Sequence, residues 1–287
     1  NLIDPPAPDP LPPGCPDIDY NNSIKASIDQ LRRMVPAIAE RFGSETLHFV
    51  AHSKGGLDTR GFLALTMRAP IPIQVGTMGG QPVRQDFEGR SLVTLATPHA
   101  GSVLAQYGVE ARQLTMAQAL GASLNAAAAK TYEGAHYCDL TQARAYAFIG
   151  STSLPDSVQR ASVATDADCN GDQTISDEIF CSAGQTEAEA FPGGSAAANR
   201  LYRLVGTISS VTITVTPRRF LPDRISVTEA PTPSFEVNDT IVAKASAWLY
   251  RRYPISGSHH LNVHSRANAV AIVMDAQSGG LIDWRKR

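Results

Sequence analysis

One serine stands where a nucleophile could be positioned. Ser53 lies in the run HFVAHSKGGLDTRGFL, residues 48–63, between a short apolar run and a helical pattern. A sharp turn from strand to helix exposes such a hydroxyl and needs small residues two before and two after it, a need that Ala51 and Gly55 meet. The N–H of Lys54, at the start of the helix, could then bind an oxyanion. The chemistry indicated is nucleophilic attack on a carbonyl carbon.

A second motif lies at the end of the next predicted strand. Its sequence is LVTLATPHAGS, residues 92–102. The serine motif alone also fits an ordinary strand-to-helix turn, but AHSKGG and LATPHAGS together resemble the bacterial lipase and esterase branch of the α/β-hydrolases, including lipase-like deacylases with TPHxGS. The resemblance implies a mainly parallel sheet flanked by helices and a Ser-His-Asp triad that hydrolyses carboxylic esters of lipids or polyesters. His52 and His99 belong to the matched motifs and are expected to shape the site.

The same resemblance places the two partners of the serine. The family's chain order is nucleophile, acid, histidine, and FEVNDTIVAKASAWL at 235–249 is similar to its NDGxV segment. Asp239 is then the acid, although Thr240 replaces the usual glycine, and a turn or cap aspartate is the alternative. Of the three histidines that follow, His264 is favoured because its following serine matches the family's NHS-type motif. His260 is the second choice.

An acidic run predicts a cation site. DADCNGDQTISDE, residues 166–178, places oxygen-bearing side chains at alternate positions around a turn, as a calcium loop does. Two overlapping frames are open, one starting at Asp166 and one at Asp168, and a solvated acidic loop is the alternative. We expect a structural calcium ion and no organic cofactor. The candidate ligands are Asp166, Asp168, Asn170, Asp172, the Thr174 carbonyl and Asp177.

The four cysteines bear on the compartment. Cys15, Cys138, Cys169 and Cys181 form no CxxC pair, so zinc is not indicated. Two disulfides in an exported protein are expected, with buried free thiols as the alternative. A bond between Cys169 and Cys181 would close the predicted calcium loop. The expected location is therefore secreted, periplasmic or on the cell surface.

Composition excludes several classes of protein. In 287 residues, 25 Lys and Arg face 27 Asp and Glu, and this balance argues against a nucleic-acid-binding protein. No run of 18 apolar residues occurs, so no transmembrane segment is predicted. The partner expected is an ester, lipid or polymer substrate.

Hydrophobic spacing predicts alternating helices and strands. Apolar residues between Ser23 and Phe42 recur at helical spacing, with Gly43 at the position of a C-terminal cap. Short apolar runs at 46–51, 91–97 and 145–150 predict buried strands, and 55–67 predicts a helix. This alternation is typical of an α/β fold with a mainly parallel sheet.

The predicted organisation is one decorated domain. Residues 1–22 are a proline-rich extended segment, and 23–287 form the α/β-hydrolase-like domain, with a helical cap at 101–144. An acidic insertion at 153–232 is expected to contain the calcium loop and a β-hairpin at 201–216. The strands that normally precede the nucleophile are not recognised, so we expect an N-terminal fragment of the same precursor to supply them. The alternative function is a calcium-stabilised, non-catalytic binding or scaffold domain on a decayed hydrolase fold.

Overall fold

The computed structural model describes most of the predicted domain. The described residues are 23–105, 139–154, 157–178, 186–189, 191–208, 211–216, 224–229, 235–265, 270 and 273–274. The proline-rich segment 1–22 and most of the predicted cap 101–144 lie outside them. The helices are α1 (Ile24–Phe42), α2 (Gly55–Arg68), α3 (Gln142–Ser151) and α4 (Gly194–Ile208). The strands are β1 (Thr46–His52), β2 (Pro72–Met78), β3 (Gln81–Asp86), β4 (Glu88–Leu95), β5 (Gln159–Asp166), β6 (Val211–Thr216), β7 (Arg224–Glu229) and β8 (Arg251–Ser256).

Helix α1 has a capping residue at each end, Ser23 before it and the predicted Gly43 after it. The Ser23 hydroxyl accepts the N–H of Ala26 at 3.0 Å, which satisfies one donor of the first turn. Gly43 ends the helix with a φ of 60°, and its N–H donates to the carbonyls of Ala39 and Glu40. Glycine adopts this left-handed conformation without a steric penalty. The predicted amphipathic helix is therefore confirmed.

Four parallel strands form the central sheet, in the order β1-β4-β5-β8. Successive residues of β4 face opposite sides of it: Leu92 packs with α1 and α2, while Val93 packs with Val163 and Ile255 on the other face. A parallel sheet covered on both faces is the predicted α/β architecture. Because all four strands run the same way, their carboxyl ends meet at one edge, where ligands bind in such sheets.

Two predictions from hydrophobic runs are wrong, and one strand is not predicted at all. Residues 145–150, predicted as a strand, lie in α3, where Ala145 and Phe148 are buried one helical turn apart. A six-residue apolar run does not distinguish a strand from a buried helix. The hairpin predicted at 201–216 is helical up to Ile208, and its β6 pairs with the later β7. The third error is an omission: β8 contains two arginines and Pro254, which hide a strand at the sheet edge.

The predicted insertion at 153–232 begins too early. Strand β5 lies within those boundaries, yet it pairs with β4 on one side and β8 on the other. Residues up to Asp166 therefore belong to the central sheet. The decoration starts after this strand and returns near Asn238, whose carbonyl accepts the N–H of Ala167 at 2.9 Å. Within the described residues, no helix is both long and apolar enough to cross a membrane.

Candidate active site

Ser53 occupies a sharp turn between β1 and α2. Its φ is 54°, in the left-handed region that residues other than glycine rarely adopt. The Ser53 N–H donates to the carbonyl of Leu95 at 2.9 Å, which ties the turn to the end of β4. The strained conformation lifts the hydroxyl out of both the strand and the helix, at the carboxyl edge of the sheet.

The steric requirement for glycine falls one residue later than predicted. A Cβ placed on Gly56 would lie 2.1 Å from Thr97 Oγ1, whereas one placed on Gly55 meets none of the described atoms within 4 Å. Gly56 thus allows α2 to approach the segment that follows β4. Of the two glycines of AHSKGG, the second is therefore the one that close packing requires.

Two side chains complete a hydrogen-bonded chain with Ser53. His260 Nε2 lies 2.9 Å from Ser53 Oγ, and His260 Nδ1 lies 2.8 Å from Asp239 Oδ2. His260 is 4% exposed and Asp239 is 1% exposed, so bulk water is largely excluded from the contact between them. A carboxylate that accepts from Nδ1–H leaves Nε2 as a base facing the serine.

The histidine favoured from the sequence, His264, is not the one that contacts Ser53. It lies in a short 3-10 turn, Val263–Ser265, and is exposed, with its ring 5.9 Å from the ring of His52. His260 follows β8 closely, and its N–H donates to the Asp239 carbonyl at 2.7 Å, which fixes the ring beside the carboxylate. The prediction failed because β8 was not recognised. A histidine four residues after the end of a last strand would have been the signal.

Asp239 is held in a tight turn. Its Oδ1 accepts the N–H groups of Ile241 at 3.0 Å and Val242 at 2.6 Å, and Thr165 Oγ1 donates to Oδ2 at 3.3 Å. These donors satisfy a carboxylate that is almost fully buried. The resulting orientation leaves Oδ2 facing His260.

Thr240 has a strained backbone conformation in this turn. Its φ is 81°, it is fully buried, and its Oγ1 has no hydrogen-bond partner among the described residues. A β-branched residue in this region is a genuine outlier, because its Cβ crowds the neighbouring carbonyl. The resemblance to NDGxV places glycine here, and the conformation explains why.

Thr240→Gly is expected to stabilise the protein by about 1 kcal/mol, because relief of strain and loss of an unpaired hydroxyl exceed the added unfolded-chain entropy. The melting temperature should rise by about 2 °C. The same change at Thr94, a buried strand residue whose Oγ1 is hydrogen-bonded to His99 and Ala161, should lower it. Differential scanning calorimetry of both variants measures the effect, and a lower melting temperature for Thr240→Gly contradicts this account.

Lys54 is the N-cap residue of α2, immediately before Gly55. No acceptor for its N–H occurs among the described residues, as an oxyanion donor requires. Its Nζ donates to Asp58 Oδ1 at 2.7 Å and to Ser27 Oγ at 3.2 Å, so the side chain is directed towards α1 and away from Ser53. The prediction that the Lys54 N–H binds an oxyanion stays a prediction.

Burial keeps two histidines, His99 and His52, neutral at pH 7. Burial lowers the pKa of His99 to about 3, with a further contribution from the Arg60 charge. Burial also lowers the pKa of His52 to about 4, and the neighbouring His260 adds to the effect. His99 Nε2 is hydrogen-bonded to Thr94 Oγ1 at 3.1 Å.

These shifts predict acid destabilisation. Each histidine has a folded pKa below its unfolded value of 6.5, so its contribution is complete above pH 6.5 and is lost as pH falls towards 4 or 3. The slope is at most about 1.4 kcal/mol per pH unit for each histidine. Asp166, whose pKa burial raises to about 6, has the opposite effect between about pH 6 and its unfolded value of 3.8. Urea unfolding measured from pH 7 to pH 4 should show that the free energy of unfolding falls, and that it falls less in His99→Gln. If the free energy of unfolding of that variant depends on pH as steeply as that of the wild type, His99 is not a source of the acid destabilisation.

The predicted calcium loop is organised by its own side chains. Asp168 accepts the N–H groups of Asn170 at 3.0 Å, Gly171 at 2.6 Å and Gln173 at 2.7 Å. Asp172 Oδ1 accepts the N–H of Thr174 at 2.8 Å. In the described part of the chain, no group of three or more His, Cys, Asp or Glu side chains is arranged to hold a metal ion. These side chains would have to turn to bind calcium.

The remaining candidate ligands face other groups. Asp166 Oδ2 lies 3.9 Å from Lys244 Nζ, while Asp166 Oδ1 accepts the hydroxyl of Tyr202 at 3.3 Å. Asp177 accepts the hydroxyl of Ser195. Cys181, the predicted disulfide partner of Cys169, lies outside the described residues, as do Cys15 and Cys138. The calcium site and the pairing of Cys169 with Cys181 stay predictions.

Comparison with solved structures supports the fold. The mature form of a lipase from Bacillus licheniformis matches 88% of this chain and 74% of its own, with a TM-score of 0.51 and 15% identity. The fold is α/β-hydrolase-like. Lipase 1 from Pelosinus fermentans is also similar: it is 15% identical, matches 83% of this chain and 72% of its own, and has a TM-score of 0.44. The lipase from Staphylococcus hyicus is 14% identical, matches 83% of this chain and 72% of its own, and has a TM-score of 0.41. No protein-family model and no curated protein matches this sequence.

Proposed function

We propose that the protein is a serine hydrolase of carboxylic esters. The observation that carries the proposal is the continuous chain from Ser53 Oγ through His260 to Asp239, with contacts of 2.9 and 2.8 Å. A nucleophile, a base within hydrogen-bond reach of it and a group that orients the base are the parts that acyl transfer needs.

In the first half of the reaction, Ser53 Oγ attacks the ester carbonyl carbon and its proton passes to His260 Nε2. Asp239 stabilises the imidazolium that forms. The carbonyl oxygen becomes an oxyanion, which the Lys54 N–H binds. The carbon–oxygen bond to the leaving alcohol then breaks, and His260 returns the proton to that alcohol. Ser53 is left as an acyl ester.

In the second half, water takes the place of the alcohol. His260 Nε2 accepts a proton from water as its oxygen attacks the acyl carbon, and the same proton then goes to Ser53 Oγ as the acyl–serine bond breaks. The products are a carboxylic acid and the free enzyme. The substrate class proposed is an ester with an apolar acyl chain, of a lipid or a polyester.

A series of p-nitrophenyl esters with acyl chains of increasing length tests the proposal. The expected result is saturable turnover of at least one of these esters. Hydrolysis no faster than with heat-denatured protein for every ester contradicts it. That result would favour the alternative, a non-catalytic scaffold stabilised by calcium.

We further propose that loop 166–178 binds calcium for structural reasons, since its oxygen-bearing side chains suit a hard cation. Binding to the folded state alone stabilises by mass action, about 2.7 kcal/mol at a hundredfold excess over Kd. EDTA should therefore lower the melting temperature, and Asp168→Asn should remove that sensitivity while leaving the ester assay active. A melting temperature that is the same with EDTA and with added calcium contradicts the proposal.

The outer edge of β1 supports a partner proposal. Among the described strands only β4 pairs with β1, and Val50 is 44% exposed although parallel sheets are usually buried on both faces. Ile38 and Phe42 of α1 are also exposed, at 42% and 74%. We propose that a strand from an N-terminal fragment of the same precursor pairs here.

We propose that the protein is located outside the cytoplasm, in the periplasm, on the cell surface or in the medium. Intact-mass analysis of the protein purified from that compartment of its native host tests whether an N-terminal fragment accompanies it. The expected result is a second fragment, identified by N-terminal sequencing, that leaves only after denaturation. A monomer with a fully protected β1 edge in hydrogen exchange and no companion fragment contradicts it.

A further inference from the structure

The backbone of His260 is held by the residue next to the nucleophile. His52 Nε2 lies 2.8 Å from the carbonyl oxygen of His260, and the two rings are 4.7 Å apart, tilted by 45°. A carbonyl oxygen can only accept, so His52 Nε2 carries the hydrogen and donates. The contact joins residues 208 positions apart in the sequence.

With this contact His260 is restrained at four points. Its N–H donates to the Asp239 carbonyl at 2.7 Å, its carbonyl accepts from His52, and its two ring nitrogens meet Asp239 and Ser53. The loop that carries His260 follows β8, at the far end of the sheet from β1. A contact from His52 therefore spans the sheet and sets the position of the base relative to Ser53.

The geometry points to His52 as a positioning residue of the proposed hydrolase. Its Nε2–H holds the His260 carbonyl and so keeps the His260 ring within hydrogen-bond distance of Ser53 Oγ. This inference rests on the proposed function. Because His52 and Ser53 are consecutive, one rigid turn carries the nucleophile and the tether together. Errors of about 1 Å in such positioning cost on the order of 100-fold in rate.

A neutral His52 suits this role. Burial, the adjacent His260 ring and His264 lower its pKa to about 4, although the hydrogen bond to the His260 carbonyl and the Asp239 charge act in the opposite direction. The ring therefore keeps a single N–H at neutral pH. When His260 takes the proton from Ser53, no second imidazolium lies beside it to oppose the charge.

Three variants test the tether. His52→Phe keeps a ring but removes the donor, and His52→Gln places an amide N–H near the position of Nε2. We expect kcat for p-nitrophenyl butyrate, per fluorophosphonate-titrated site, to fall about 10- to 100-fold in His52→Phe with KM within about twofold. His52→Gln should recover most of it. His48→Phe is the matched control on the same strand, since His48 is hydrogen-bonded to Ser91 and not to the site, and it should leave kcat unchanged.

A kcat of His52→Phe equal to that of the wild type overturns the tether. So does a kcat of His52→Gln that is as low as that of His52→Phe. A separate readout does not depend on activity: long-range ¹H–¹⁵N NMR of the wild type at pH 7 should show His52 as the neutral Nε2–H tautomer. The Nδ1–H tautomer or an imidazolium overturns the inference. If no ester is hydrolysed but this tautomer is present, the proposed function fails and the tether stands.

Discussion

Ser53→Ala is expected to lower kcat for p-nitrophenyl ester hydrolysis by roughly 10⁴-fold or more, since the variant has no nucleophile to form the acyl intermediate. Alanine, like serine, is strained at the φ of 54° that this turn requires. The melting temperature must therefore be measured beside the rate. A folded, inactive variant is the expected outcome.

The control for this change is Ser44→Ala, at a serine whose hydroxyl donates to the carbonyl of Thr46. It should keep wild-type kcat. Full activity of Ser53→Ala would contradict the assigned nucleophile, and equal losses in both variants would indicate damage to the fold instead.

His260→Ala is expected to lose activity on the scale of Ser53→Ala, whereas His264→Ala should retain kcat within about threefold. The physical reason is contact: His260 Nε2 is 2.9 Å from Ser53 Oγ, while His264 is exposed and lies beside His52. Losing a base that acts with the nucleophile as a unit costs almost as much as losing the nucleophile itself.

The two histidines serve as controls for each other, because they are four residues apart in the same loop. Combining His260→Ala with Ser53→Ala should add little to either single loss. The reverse ranking, with His264→Ala inactive and His260→Ala active, would contradict the geometry of this site.

The parts of the fold that sequence predicts are those with a long or specific local pattern. Helix α1 repeats its apolar positions over 19 residues and carries both caps, so its boundaries follow from local chemistry. The turn at Ser53 is predicted because a strand, small residues and a helix occur in immediate succession. Neither of these two predictions requires information from distant residues.

The errors arise where tertiary contacts decide. The sequence predicts a strand at 145–150, within α3, because a six-residue apolar run fits either structure, and burial against the core favours the helix. Strand β8 is polar and contains Pro254, so its place at the sheet edge cannot be read from its own residues. That omission also led to His264 in place of His260.

Packing determines the details of the site as well. The need for glycine at position 56 comes from Thr97, 41 positions later, and the strain at Thr240 comes from the turn that orients Asp239. The contact between His52 and the His260 carbonyl has no signal in either local sequence. Such contacts require the sheet to bring its carboxyl ends together.

The most direct test of the central claim is intact-mass spectrometry after treatment with a fluorophosphonate, followed by peptide mapping. The account predicts one adduct per chain, located on Ser53, that forms at a rate reduced in His260→Ala and unchanged in His264→Ala. No adduct on the folded protein, or an adduct on a different serine, would contradict it.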